Sequence, residues 1–424
     1  MKIAYIAMSL PHGSAETFLV PEIREFVRQG HELLVVPVHP RGNEIHDDVV
    51  PLMPIMLSKS LISFGILVDA VCEAIRSPFR TGAALLLILK SRTVMITIKN
   101  LTVFPKALWL ARLARRSGVQ HIHAEWGGCT ATMGAIASKV SNIPWSFTVH
   151  SWELVENNLL KEKSRSAEIV RVISRFGEER LRNHVGGGAP VHLIHVGVDL
   201  PVAQWKSRRP RECFSILVVA ALLPIKGIET LIQAWTVLRS RGIDVSVDIF
   251  GEGPLEKGLN DLIREAGAQE RLVLRGLVFH DRLLSEMSTE KYDATVLPSI
   301  VAADGQQEGI PLALVEAMAR GIPAISTQTG GIVELLEGGA GLLVPPGDPE
   351  ALADAIEALS RDPELHAHMQ ASGRKKVVDQ FGVESTVREL AARMAGTISG
   401  FADRSPTENH DRSAALSITW PANS

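Results

Sequence analysis

KIAYIAMSLPHGSAETFLVPEIREFVRQGHELLVVPV, residues 2–38, reads as a single βαβ unit. KIAYIAM (2–8) is an apolar run of strand length, residues 16–29 carry helical spacing, Gly30 stops that helix, and HELLVVPV (31–38) is a second strand. Near-continuous apolar strands joined by helices imply a parallel sheet with both faces covered. The alternation continues through HIHAEW (121–126), a helix over 130–140, PWSFTVH (144–150), EIVRVIS (168–174) and VHLIHVG (191–197). A second series follows: FSILVVA (214–220), a helix after Lys226 and Gly227, DVSVDIFGEG (244–253), another helix, RLVLRG (271–276), DATVLPS (293–299), a helix from near Pro311, and PAISTQ (323–328). The expected class is α/β, with two doubly wound, Rossmann-like domains facing a central cleft where strand ends meet.

The expected domains are residues 1–200 and 214–383, with PVAQWKSRRPREC (201–213), which holds two prolines and four basic residues, as the linker. A last amphipathic helix is expected at 384–403, packing back toward the first domain, and residues 404–424, without a clear period, read as a disordered tail. With 46% hydrophobic residues the bulk of the 424-residue chain is globular. Cys72, Cys129 and Cys213 lie far apart with no CxxC pair, so neither a disulfide framework nor a cysteine zinc site is indicated. The opening MKIAYIAMSLP reads as a strand, and AALLLIL (83–89) falls short of the roughly 20 residues a membrane span needs. The expectation is a cytoplasmic protein, peripheral at the inner face of the membrane.

The net charge of −3 is a cancellation. The first 200 residues carry 22 Lys and Arg against 17 Asp and Glu, a net of +5; the remaining 224 carry 22 against 30, a net of −8. Residues 51–150 alone hold 11 basic against 3 acidic, a net of +8. Within them VFPKALWLARLARRS (103–117) sets Lys106, Arg112, Arg115 and Arg116 among Leu108, Trp109, Leu110 and Leu113. Two readings stand: a surface helix packing its apolar stripe on the sheet, or an interfacial helix meeting an anionic bilayer and a lipid-linked substrate.

The segment carrying most chemistry is EGIPLALVEAMARGIPAIST (308–327). Glu308 lies in a loop, Pro311 suits the first turn of a helix, and Glu316 follows eight residues on, about 80° from a whole number of turns. Two carboxylates so placed suit two parts of one extended ligand, and free N–H groups at the helix start suit a phosphate. An isolated E-x7-E spacing is otherwise a solvated helix acid and a first-turn acid. In LLPIKGIETLIQAW (222–235), Lys226 stands at a strand-to-helix turn, within reach of a phosphate or merely exposed. FGEGP (250–254) follows a strand, its glycines permitting close backbone approach to a ligand or simply making a turn. His150 and His123 both stand at strand ends. In PHGSAETF (11–18), Gly13 and Ser14 offer donors at the first strand-to-helix turn, and Glu16 either joins them or caps the helix.

ADGQQEGIPLALVEAMARGIP (303–323) resembles the donor-binding signature of retaining family 4 glycosyltransferases with the GT-B fold, and the DG before EGIP resembles the bacterial exopolysaccharide and colanic-acid branch. The resemblance covers nearly the whole chain. It implies that Glu308 contacts donor-sugar hydroxyls, that Glu316 binds the nucleotide ribose, and that backbone at Gly309, Ile310, Pro311 and Leu312 serves sugar and diphosphate. It implies that Lys226 holds the diphosphate, that the loop with Gly251 and Gly253 lies beside the nucleobase with Val278, and that His150, in a T-x-H motif, approaches the donor sugar. His123 either supports the site from behind or lies on the acceptor side, where Gly13, Ser14 and Glu16 fall. The family usually has an arginine five residues before the lysine; here that position is Ala221. Another basic residue then substitutes, turnover is slow, or the chain is a non-catalytic nucleotide-sugar or glycan-binding protein.

The leading expectation is a metal-independent retaining hexosyltransferase. It moves a sugar from a UDP- or GDP-linked donor to a glycan acceptor, lipid-linked, in cell-surface polysaccharide synthesis, with no cofactor beyond that co-substrate. GxGxxG is missing after the first strand and GxxxxGK[ST] throughout, against a twin-Rossmann oxidoreductase and a P-loop kinase. The net charge of −3 and 5% aromatics weigh against nucleic acid.

Overall fold

The computed structural model describes residues 1–12, 16–40, 45, 47–201 and 207–404. Gly13, Ser14, residues 202–206 of the linker segment and residues 405–424 lie outside the described residues, and with them the expectations placed there. The first domain runs β1 (Lys2–Ala7), α1 (Leu19–Arg28), β2 (Glu32–Pro37), α2 (Phe64–Arg76), α3 (Pro78–Ile88), α4 (Val94–Arg116), β3 (His121–Ala124), α5 (Cys129–Ser141), β4 (Trp145–Val149), α6 (Ser151–Glu156), α7 (Leu160–Ser166), β5 (Ile169–Val172), α8 (Arg175–Val185) and β6 (Val191–Leu193). The second runs β7 (Phe214–Val219), α9 (Ile228–Ser240), β8 (Val245–Phe250), α10 (Glu256–Glu265), β9 (Leu272–Gly276), α11 (His280–Met287), β10 (Ala294–Leu297), α12 (Leu312–Ala319), β11 (Ala324–Thr327), α13 (Ile332–Leu336), β12 (Leu342–Val344), α14 (Pro349–Arg361) and α15 (Pro363–Gln380). A final helix, α16 (Val383–Arg404), returns to the first domain, where Val387, Leu390 and Met394 join Ile3, Tyr5, Ile23 and Phe26 in one core.

Each domain holds a six-stranded parallel sheet, ordered β2-β1-β3-β4-β5-β6 and β12-β11-β10-β7-β8-β9. Strands such as β1, buried on both faces from Ile3 to Ala7, explain the unbroken apolar runs. Strand order reverses between β1 and β3 in the first sheet and between β7 and β10 in the second, and crevices open at such points beyond the carboxyl ends of the strands. The loops after β1, β3, β4, β7 and β10 therefore make the site.

The bilayer expectation for residues 103–117 is corrected. By length and composition α4 is apolar enough to cross a membrane, but half of its most apolar window is buried. Trp109, Leu110 and Ala114 lie in the first core. Lys106 is fully buried and donates to the carbonyls of Pro37 (2.6 Å), Val38 (3.0 Å) and Lys59 (2.5 Å), and burial lowers its pKa to about 8. Arg112 pairs with Asp69 at 2.9 Å and Arg115 with the buried Glu73. Three of the four cations are spent on the fold, and Arg116 alone stays exposed. A long helix can carry apolar residues on more than one side, and its sequence alone does not say which side is packed.

Candidate functional site

In the second domain the chain leaves β7 at Ala220, turns through Pro224–Lys226 and enters α9. That turn aims Lys226 at the loop before α12, where its Nζ lies 2.6 Å from Glu308 Oε1, with both side chains mostly buried. Pro311 is the residue before the first turn of α12, so the amides of Leu312 and Ala313 open the helix with no intrahelical acceptor. Gly309 meets the first domain: a Cβ there would lie 2.9 Å from Ser151 Oγ, next in sequence to His150. Lys226, Glu308 and the α12 N-terminus thus lie together, and the Gly309 backbone beside them abuts the start of α6, directly after His150.

Glu316, on α12, accepts from His280 Nε2 at 2.7 Å, and His280 Nδ1 reaches Asp48 of the first domain at 3.8 Å. Burial opposes charge on His280, but the two carboxylates outweigh it and raise its pKa. A cavity of about 410 Å³ at the ends of β7 and β8 is lined by Ala221, Gly251, Val278, His280 and, from the first domain, Thr17. Gly251, at φ +138°, has no room for a side chain, since a Cβ would fall 1.9 Å from Ala220 O. Its close approach is to its own chain, which favours the turn reading. Gly253 likewise packs on the Leu222 backbone and does not line this cavity.

In the first domain His150 precedes α6, its backbone N–H bonding Glu153 at 3.1 Å. Its Nε2 lies 2.6 Å from Glu125 Oε1 and its ring sits 4.2 Å, centroid to centroid, from Trp126. Glu125 is fully buried and also accepts from Tyr5 Oη at 3.3 Å. Burial disfavours its charge, yet hydrogen bonds from His123 and His150 hold its carboxyl well below the usual range. Burial likewise disfavours a cationic His150, but Glu125 wins and raises the histidine pKa. The sequence analysis did not single out Glu125, although a carboxylate at a strand end between two strand-end histidines was a usable signal.

Of the two readings of His123 the buried, supporting one fits: it bonds Ser146 Oγ at 2.8 Å and Thr148 Oγ1 at 3.3 Å and lies 3.5 Å from Glu125, the partner of His150. The acceptor-side expectation for Glu16 is corrected. Glu16, 2% exposed, neither caps α1 nor offers a free carboxylate: it accepts from the amides of Met8, Ser9 and Leu10 and from Trp126 Nε1, at 2.6–3.0 Å. Its work is to fold the first loop. The ligand atoms of Glu22, His123 and Glu125 lie within 4.8 Å of one another, yet each is engaged by Tyr5, Arg171, Ser146, Thr148 or His150, making a hydrogen-bond network.

The His150–Glu125 pair has a pH signature. Raised in the fold, His150 adds stability that is complete below its unfolded pKa of about 6.5 and fades as pH rises through the folded value. Glu125, depressed in the fold, adds stability present above about 4.5 and lost as pH falls through its folded value. NMR titration should place the His150 ring above the ordinary value, and Glu125→Gln should return it downward. An unmoved midpoint in the variant would show that Glu125 does not charge His150.

Salt bridges and hydrogen bonds fix the two halves of the cleft. Glu334 on α13 accepts from the Arg175 amide at 2.6 Å and from His195 Nε2 at 2.8 Å, while the Arg175 guanidinium also meets Glu337.

The family sequence model described as Glycosyltransferase Family 4 matches residues 15–201, and that described as Glycosyl transferases group 1 matches residues 201–376. The Escherichia coli K12 protein provisionally named colanic acid biosynthesis glycosyltransferase WcaL is 31% identical over 286 residues, 65% of this chain and 70% of that protein. The chain belongs to the family 4 glycosyltransferases. The amylovoran biosynthesis glycosyltransferase AmsK of Erwinia amylovora is 30% identical over 275 residues, 61% of this chain and 66% of its own length. The chain spans about two thirds of the length of the curated relatives it matches. The fold of this family 4 glycosyltransferase is that of Anabaena HepE in complex with UDP-glucose, with a TM-score of 0.68 at 20% identity over 94% of this chain and 100% of that one.

Proposed function

We propose that this family 4 glycosyltransferase transfers a hexosyl group, with retention of configuration and without a metal, from a UDP- or GDP-sugar to a lipid-linked glycan acceptor in exopolysaccharide synthesis, at the inner face of the membrane. The observation that carries the reading is that Lys226, Glu308 and the α12 N-terminus lie together where the second domain abuts the start of α6, directly after His150. Charge grows on the diphosphate as the glycosidic bond breaks, and the Lys226 ammonium with the amides opening α12 is the arrangement that stabilises it. Glu308 binds two vicinal sugar hydroxyls, each donating to one carboxylate oxygen. His150, oriented and charged by Glu125, faces the sugar, and Glu316 exchanges His280 for ribose hydroxyls. The leaving phosphate takes the acceptor proton, so no side chain is needed as a covalent nucleophile. WcaL and AmsK, named for colanic acid and amylovoran biosynthesis, support the polymer class, and the UDP-glucose on HepE supports a nucleotide-sugar donor.

The test is a panel of UDP- and GDP-sugars, with nucleoside diphosphate release as readout. One donor should be consumed by the wild type, and Glu308→Gln should lower turnover about 100-fold with the thermal melt unchanged. Nucleotide binding with no turnover for any donor and acceptor would instead leave a binding protein.

A further inference from the structure

The helices α2, α3 and the start of α4 carry apolar stripes that face water. On α2 these are Phe64, Leu67, Val68, Val71 and Ile75, spaced by three and four residues, so they share one face, while Ile66 and Ala70 turn inward. Phe79, Leu86 and Leu89 continue the exposure on α3, and Val94, Ile98 and Leu101 on α4. Phe64 is 84% exposed and Phe79 91%. Of the 25 large apolar side chains exposed among the described residues, 14 lie between Ile62 and Leu101, a concentration that a solvated surface does not sustain without a partner.

The charges around the stripes are of one sign. Arg76 and Arg80 flank the turn from α2 to α3, and Lys90 and Arg92 flank the turn from α3 to α4. All four are exposed and form no ion pair among the described residues. Residues 58–102 contain two acids, Asp69 and Glu73, and both are tied to arginines of α4. A second copy docked by the same face would set four cations against four, so self-association is disfavoured. A surface that is apolar below and anionic above suits both features.

The face also adjoins a cavity. A space of about 570 Å³ at the carboxyl ends of β1, β2 and β3 is lined by Trp126, Val38, Trp152, Leu61, Lys99 and Thr102. Leu61, Lys99 and Thr102 are chain neighbours of the exposed Ile62, Ile98 and Leu101. The cavity therefore runs from the apolar face toward Trp126 and the His150 ring packed against it.

We infer that α2, α3 and the first turns of α4 seat the protein on an anionic phospholipid bilayer, with Phe64 and Phe79 inserted and Arg76, Arg80, Lys90 and Arg92 on lipid phosphates, so that the cavity opens at the membrane. The inference rests on the lipid-linked acceptor of the proposed function and gives it an address within the basic window 51–150, upstream of the 103–117 helix.

Flotation with vesicles tests it without donor or acceptor, so its outcome stays separate from whether sugar is transferred. Wild type should bind phosphatidylcholine vesicles containing about 30 mol% phosphatidylglycerol at least tenfold more tightly than phosphatidylcholine alone. The quadruple variant Arg76→Gln, Arg80→Gln, Lys90→Gln, Arg92→Gln and the double variant Phe64→Ser, Phe79→Ser should each lose at least tenfold, with melting temperature and nucleotide binding retained. Equal binding by wild type and both variants, a signal that requires residues 405–424, or a dimer abolished by Phe64→Ser, Phe79→Ser in place of vesicle binding, would each overturn it.

Discussion

Lys226→Ala should lower kcat by about 10²–10³-fold, the cost of one preorganised charge at a leaving group. Lys226 sits 2.6 Å from Glu308 at the turn into α9. Removing it leaves a mostly buried carboxylate facing an anionic diphosphate with no intervening cation. Ala221, which lines the neighbouring cavity, supplies no charge, so less reserve remains than where an arginine also holds the phosphates. Lys226→Arg should recover part of the loss, limited because a planar guanidinium does not replace a compact ammonium at a tight turn. Steady-state kinetics decide the point. A raised KM with unchanged kcat would mean that Lys226 binds donor equally in ground and transition states, against the role given to it here.

Arg171→Met should destabilise the first domain by about 3–5 kcal/mol. Arg171 on β5 and Glu22 on α1 are each 1% exposed and bonded at 2.7 Å. Arg171 also donates to the carbonyls of Ile194 (2.9 Å) and His195 (2.6 Å). Methionine fills much of the volume but strands a buried carboxylate and two carbonyls. Urea unfolding of the variant measures the effect, and a loss below about 1 kcal/mol would show that water or a protonated Glu22 takes the place of the guanidinium. Because Glu22 also accepts from Tyr5 at 2.8 Å, and Tyr5 from there reaches Glu125, the same variant should loosen the support of His150.

The alternation of strand and helix was legible because parallel strands buried on both faces, such as β1, carry near-continuous apolar runs. The strand ends followed from that alternation and located His150, whereas Lys226 and Glu308 were singled out because their segments resemble the family 4 signature. Glu125 was passed over although it stands between two strand-end histidines, because its role comes from what folding brings around it: His123 two residues before it, His150 after β4 and Tyr5 on β1. Glu16 failed for the related reason that a polar side chain at a strand end serves the chain itself as readily as a ligand. The short β12 left only three residues of pattern, too few to separate a strand from a loop. The apolar helices show the limit most clearly. Trp109 and Phe79 both belong to apolar helices, yet one is 3% exposed and the other 91%.

The central claim is retaining transfer from a nucleoside diphosphate sugar. The measurement that meets it most directly is the anomeric configuration of the first product formed from the donor the panel identifies, read by proton NMR coupling constants in the presence of a metal chelator. An α-linked donor should give an α-linked product, at an undiminished rate. An inverted product, or turnover that stops when metal is withdrawn, would contradict the mechanism proposed for Lys226, Glu308 and the α12 N-terminus.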